Sequence, residues 1–231
     1  SAMSSLPLLT SGVMINRVEV WVTNRSGNYE NTRDVLTLMD LGEYRPHNTF
    51  NSSGTNNPYA SNGANHLYDD IVNNPNKDLI RQSKTCLDQM NAALPDLKQG
   101  LDYELLTYAR QLNESEFTIN QRLGYISLNT ALNNDEILAV AFEYTYNGQV
   151  FKVGEFASEV ASTRDDSKVL MLKMLKNNII RTKLPMWELM MKNIYSLGSF
   201  NVNANDLNLN IIYNDDPSGA DLNYMPVNNY P

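Results

Sequence analysis

Apolar and polar residues alternate with a period of two over several stretches of this 231-residue chain, and each stretch predicts a strand with one buried face. From Met14 to Thr23, Val18, Val20 and Val22 share one side, predicted to face the core, while Arg17, Glu19 and Trp21 share the other. Val35–Leu41 is a second strand, and the polar turn Asn24–Asn31 with Gly27 predicts that the two pair as neighbours. Strands resume over Thr118–Leu128. Ile137–Tyr146 and Gln149–Glu155 flank Asn147-Gly148, and Asn-Gly between alternating runs is a strong hairpin signal. Val169–Leu175, almost wholly apolar, predicts a central strand, and Leu207–Tyr213 places Leu207, Leu209, Ile211 and Tyr213 on one face. One-sided alternation predicts antiparallel pairing, because parallel strands buried on both faces are apolar throughout.

Helical spacing occupies other stretches. Asp78–Leu97 carries Leu79, Ile80, Cys86, Leu87 and Met90, and beyond Gly100 a second helix is predicted at about Tyr103–Leu112 from Leu105, Leu106, Ala109 and Leu112. Over Lys183–Gly198, Pro185 stands in a first turn and Met186, Leu189, Met190, Asn193, Ile194 and Leu197 recur at helical spacing before Gly198 ends the run. Strand clusters on both sides of a helical block predict an α+β fold, a mainly antiparallel, sandwich-like sheet with about three helices packed on it. The Gly-, Asn- and Ser-rich stretch Arg45–Asn65 lacks periodicity and predicts a long loop, either mobile or functional.

Composition narrows the function classes. A net charge of −8 and a pI of about 4.8 exclude the basic footprint that nucleic acid or anionic lipid requires. Apolar runs fall short of a membrane-spanning helix, and mean hydropathy is −0.41. Asparagine, about one residue in seven, gathers at turns such as Asn73-Asn74 and Asn133-Asn134, where it tolerates left-handed backbone. The single Cys86 permits no internal disulfide and belongs on the apolar side of its helix. Ser1-Ala2-Met3 looks like the remnant of a cleaved expression tag, leaving residues 4–231 as one expected soluble domain.

Candidate chemistry is sparse. His47 and His66 stand beside polar loops, without a nucleophile–base–carboxylate pattern around either. Glu114 and Glu116 near Arg110, and Glu155 with Glu159, are carboxylate pairs of the kind acid–base catalysis uses, but an acidic chain carries such pairs on its solvated surface. Asn214–Asp221 offers oxygen ligands, yet Pro217 and Ala220 interrupt the alternate-position register of a calcium hand. Gly12, Gly27, Gly42 and Gly63 form no phosphate cradle. Trp21, if its face is covered by helices, is core, and Trp187, Met186, Met190 and Met191 also suit core gaps. The expectation is therefore no enzyme, no cofactor and no metal.

The wording of Lys183–Gly198 (KLPMWELMMKNIYSLG) resembles a segment of the SprA/Sov family, giant outer-membrane proteins of type IX secretion and gliding motility. Arg17–Asn24 (RVEVWVTN), Leu38–Glu43 (LMDLGE), Leu123–Asn129 (LGYISLN), Asp135–Phe156 (DEILAVAFEYTYNGQVFKVGEF) and Leu207–Gly219 (LNLNIIYNDDPSG) are similar to the same family in the same order, while Arg45–Asn65 matches nothing in it. The family's members are many times longer, so the resemblance implies a soluble piece of an outer-membrane translocon. It further implies a scaffold or partner-docking role at the outer membrane or cell surface, with other secretion-apparatus proteins and secreted cargo as partners. A second class stays open: a surface carbohydrate-binding or adhesive sandwich module, which a cleft floored by Trp21 and tyrosines would favour.

Overall fold

The computed structural model describes residues 11–52, 58–160, 168–191, 203, 205, 208, 210, 212–215 and 219–223. The chain divides into two compact units, residues 1–190 and residues 191–231. The first contains β1 (Met14–Val22), β2 (Thr32–Leu38), β3 (Tyr103–Gln111), β4 (Phe117–Asn120), β5 (Tyr125–Leu128), β6 (Leu138–Tyr146), β7 (Gln149–Val153) and β8 (Leu170–Lys176).

Five of these strands close on themselves in the order β1-β3-β2-β8-β6, and β7 extends the wall by pairing with β6. Closure comes from antiparallel β1 and β6, whose register runs from Met14 opposite Thr145 to Val22 opposite Leu138. One pair is parallel: β2 and β8 meet with Val35 opposite Leu170. The expected sandwich-like α+β sheet is thus corrected to a small closed barrel with few helices. Alternation shows that one face of each strand is buried but not whether first and last strands meet, so barrel and sandwich share one pattern. The neighbour expectation for β1 and β2 also fails, because β3 inserts between them.

A narrow barrel must fill its interior with its own side chains. Trp21, Val35, Met39, Leu106, Ala109, Ala139, Ala141, Phe156, Leu170, Leu172 and Met174 form that core. Small Ala109, Ala139 and Ala141 leave volume for Trp21 and Phe156. The face assignment of β1 is therefore inverted: Trp21 points inward, and Val20 and Val22 lie outside, packed with Leu138 and Val140 and with Phe117, Ile126 and Leu128 of the β4–β5 hairpin. Gly154, at φ +79°, follows β7 where a Cβ would come within 3.1 Å of the backbone of Ala141, so no other residue fits without moving the wall.

The predicted helix at Tyr103–Leu112 is strand β3, and the reason is a bulge. Arg33 faces Ala109 and Val35 faces Leu106, so Asp34 alone stands opposite Thr107 and Tyr108. The extra residue lets both Leu106 and Ala109 point into the barrel. Their spacing of three imitates helical periodicity. Helices α1 (Leu67–Val72), α2 (Lys77–Ile80) and α3 (Ser83–Ala93) supply Leu67, Ile71, Ile80, Cys86 and Met90 to a second apolar cluster with Leu36, Leu38 and Met171. The hairpin at Asn147-Gly148 is as expected, with both residues in the left-handed region.

The Lys183–Gly198 helix contracts to one turn, α4 (Met186–Leu189), with Met190 already extended at ψ 132°; residues 192–202 lie outside the described residues. Leu184 and Met186 join the barrel core, but Leu189 is 46% exposed. In residues 191–231, β9 (Tyr213–Asp215) pairs antiparallel with β10 (Ala220–Leu222). Of the strand predicted at Leu207–Tyr213, Leu207, Leu209 and Ile211 lie outside the described residues.

Because truncating a core methionine removes transfer free energy and leaves a cavity, Met186→Ala is expected to cost about 2–5 kcal/mol, whereas Leu189→Ala stays within about 0.5 kcal/mol. Urea midpoints of the two variants check this; equal losses would contradict the assignment of Leu189 to solvent.

Candidate functional site

Glu155 and Glu159, paired in the sequence reading, have separate environments. Glu155 is buried and its carboxylate accepts from both terminal nitrogens of Arg81 at 2.6 Å, from the Tyr68 hydroxyl at 2.8 Å and from the Met171 N–H at 3.0 Å. Arg81 also donates to the Val169 carbonyl at 3.0 Å. The barrel strand β8, the segment after β7 and helices α1 and α2 are thereby tied through one charged centre. Burial works against the Arg81 charge, but the hydrogen bonds and charge of Glu155 outweigh it and raise its pKa. Burial and the Glu155 charge push the Tyr68 hydroxyl well above its usual range. A carboxylate saturated in this way holds the fold and has no lone pair to offer a substrate proton. Glu159 instead accepts from Lys152 at 2.8 Å and from the Phe156 N–H.

The loop Arg45–Asn65 is pinned, in its described parts, by a second polar centre. Asp40, buried at the end of β2, accepts from the N–H groups of His47 and Asn48 at 2.8 Å each and from the Asn51 side chain at 3.1 Å. Buried Asn65 donates to the carbonyls of Asp40 and Glu43 and accepts from the Leu67 N–H at the start of α1. Residues 53–57 lie outside the described residues. His47 is exposed and contributes through its backbone. His66 places Nδ1 against the Asp70 carboxylate and Nε2 against the Phe50 carbonyl, 2.7 Å away, so both nitrogens brace the loop onto α1. The two histidines are not brought into one site.

Arg110 holds both oxygens of Glu116 at 2.7 and 2.8 Å, and the Asn113 N–H adds a third donor; Glu114 is exposed. The Asn113 N–H, together with Arg110, holds the Glu116 carboxyl below its ordinary 4.5. Burial lowers the Lys176 pKa, a feature of nucleophilic lysines, yet its ammonium is spent on the carbonyls of Asn133, Asn134 and Glu136. Asn214 bonds Asp221 across β9 and β10 at 2.8 Å, and residues 216–218 of the suggested calcium loop lie outside the described residues. Among the described residues no cluster of three or more His, Cys, Asp or Glu side chains could hold a metal ion.

Surface chemistry is aromatic. The outward row of β6 passes from Leu138 and Val140, under the β4–β5 hairpin, to Phe142, Tyr144 and Tyr146. Tyr144 stacks with Phe151 at 5.2 Å and donates to the Ala60 carbonyl, and Tyr59 lies 5.1 Å from both Tyr146 and Phe151. Tyr59 is 37% exposed, so this shelf keeps an outer surface. Sequence reading gave Trp21 a surface role only under the carbohydrate-binding alternative and missed the shelf, whose rings come from a loop and from alternate residues of a hairpin. A second pair, Tyr29 and Tyr108, meets edge to face at 5.1 Å. An open cleft of about 420 Å³ beside α1 is lined by Phe50, Asp69, Asp70, Asn73, Pro75 and Leu94.

Removing one partner of the buried ion pair strands the other, so Glu155→Gln or Arg81→Met is expected to cost about 3–5 kcal/mol, and a double-mutant cycle reports strong coupling. Glu116 has a folded-state pKa below its unfolded value. Its stabilisation is therefore complete above about 4.5 and is lost as pH falls through the folded value. The stability gap between the wild type and Glu116→Gln should accordingly narrow as pH falls below about 4.5, measured by thermal midpoints.

No protein-family model matches the chain, and no curated protein matches it.

Proposed function

We propose that this chain is a non-catalytic scaffold or docking domain of an outer-membrane secretion translocon of the SprA/Sov type, working at the outer membrane or cell surface with other secretion-apparatus proteins and secreted cargo. The reading is carried by the ordered resemblance, whose segments coincide with β1, the end of β2, β5 and the whole β6–β7 hairpin. Internal commitment of Glu155, Asp40, Glu116, His66 and Lys176 supports it, because these polar groups serve the framework. The shelf of Tyr59, Tyr146 and Phe151 is the natural docking surface, since partly exposed aromatic rings bury much area at little entropic cost.

The same shelf also favours the second reading, a carbohydrate-binding surface on which sugar rings stack. The two are separated by introducing Tyr59→Ser with Phe151→Ser into the intact secretion protein. Cargo export and surface motility are expected to fall while the purified chain keeps its circular dichroism spectrum and fails to bind immobilised polysaccharide. Unchanged export would reject the docking role, and specific polysaccharide retention by the wild-type chain, lost in the variant, would install the carbohydrate reading.

A further inference from the structure

Tyr108 occupies the bulge of β3 at φ +54°, in the left-handed region where an aromatic residue is strained and glycine or asparagine is at ease. The bulge itself has a structural reason, since it turns Leu106 and Ala109 both into the barrel. The identity of the residue there does not. Tyr108 is 56% exposed and its ring partner Tyr29 is 64% exposed, so burial repays little of the strain. Asn31, also left-handed at φ +55°, and the Thr32 hydroxyl bonded to the Tyr29 carbonyl set the second ring at 75° to the first. The Asp34 carboxylate uses one oxygen on the Tyr108 N–H at 2.7 Å, and Glu30 adjoins Tyr29 on the exposed loop. The nearby cations are engaged elsewhere: Arg110 with Glu116, and Arg33 with the carbonyls of Ala157, Val160 and Lys168.

We infer that Tyr29, Tyr108 and Asp34 form a recognition corner for an arginine side chain of a partner protein segment. A guanidinium lies flat on one ring with its edge toward the other, gains cation–π attraction from both, and points donors toward acidic Asp34 and Glu30. The chain's net charge of −8 draws a basic segment toward this corner. The inference stands apart from the secretion reading, because it concerns the isolated chain and a ligand chemistry.

The test is a titration of the full chain with acetyl-Gly-Arg-Gly-amide, its neutral citrulline counterpart and an N-acetylglucosamine oligomer, read on the ring resonances of Tyr29 and Tyr108. Saturable shifts are expected with the arginine peptide, about tenfold weaker with citrulline. They should vanish in Tyr108→Gly, which keeps or raises the thermal midpoint because the strain is gone. Equal response to citrulline, response to the sugar oligomer in place of arginine, or no saturable shift overturns the proposal. A lower midpoint for both Tyr108→Gly and Tyr108→Asn also overturns it, by showing that the tyrosine serves the fold.

Discussion

Five strands enclose so little space that every inward side chain must be matched in size to those facing it, and that matching governs the rest of this molecule. Trp21 can enter only because Ala139 stands directly opposite on β6, with Ala141 and Ala109 also in the same core. Gly154, just after β7, lies so close to the backbone of Ala141 that a Cβ there would press on it at 3.1 Å, at a φ of +79° that side chains rarely adopt. The bulge at Tyr108 keeps Leu106 and Ala109 facing inward on a strand that must curve. Interior volume, the closing β1–β6 register and the irregularity of β3 are one constraint expressed at three places.

Polar chemistry then fastens the outer layer to this wall. Arg81, Tyr68 and Glu155 join helices to barrel through bonds of 2.6–2.8 Å, and Asp40 with Asn51 and Asn65 does the same for the long loop. Buried charges in such networks are strongly destabilising when half removed and modest in net worth when intact. Their value is geometric, since a carboxylate with several fixed donors admits few alternative positions of the loop. In its described parts the loop is anchored as framework, where its composition left it either mobile or functional.

Framework chemistry and surface chemistry are thus separated. The histidines and carboxylates that could suggest catalysis face inward bonds or solvent singly, whereas partly exposed aromatics gather at the β6–β7 shelf and at the Tyr29–Tyr108 corner. Both surfaces suit the docking of a partner segment.

The sequence alone determined most local elements. The alternation in β1, the continuous apolar β8, and the Asn-Gly hairpin of β6 and β7 were legible because strand period and turn chemistry are local properties. It also located helix α3 with its buried Cys86, but the single helix expected over Asp78–Leu97 is split at extended Gln82 into α2 and α3. It assigned the wrong face of β1 to the barrel core, because both faces carry apolar residues and only the volume left by Ala139, Ala141 and Ala109 selects Trp21. It mistook β3 for a helix, since one extra residue converts a period of two into a spacing of three, and only pairing with β2 reveals the slip. Barrel closure was likewise beyond it. Whether β1 meets β6 depends on twist and register accumulated around five strands, a long-range sum that no window of residues contains.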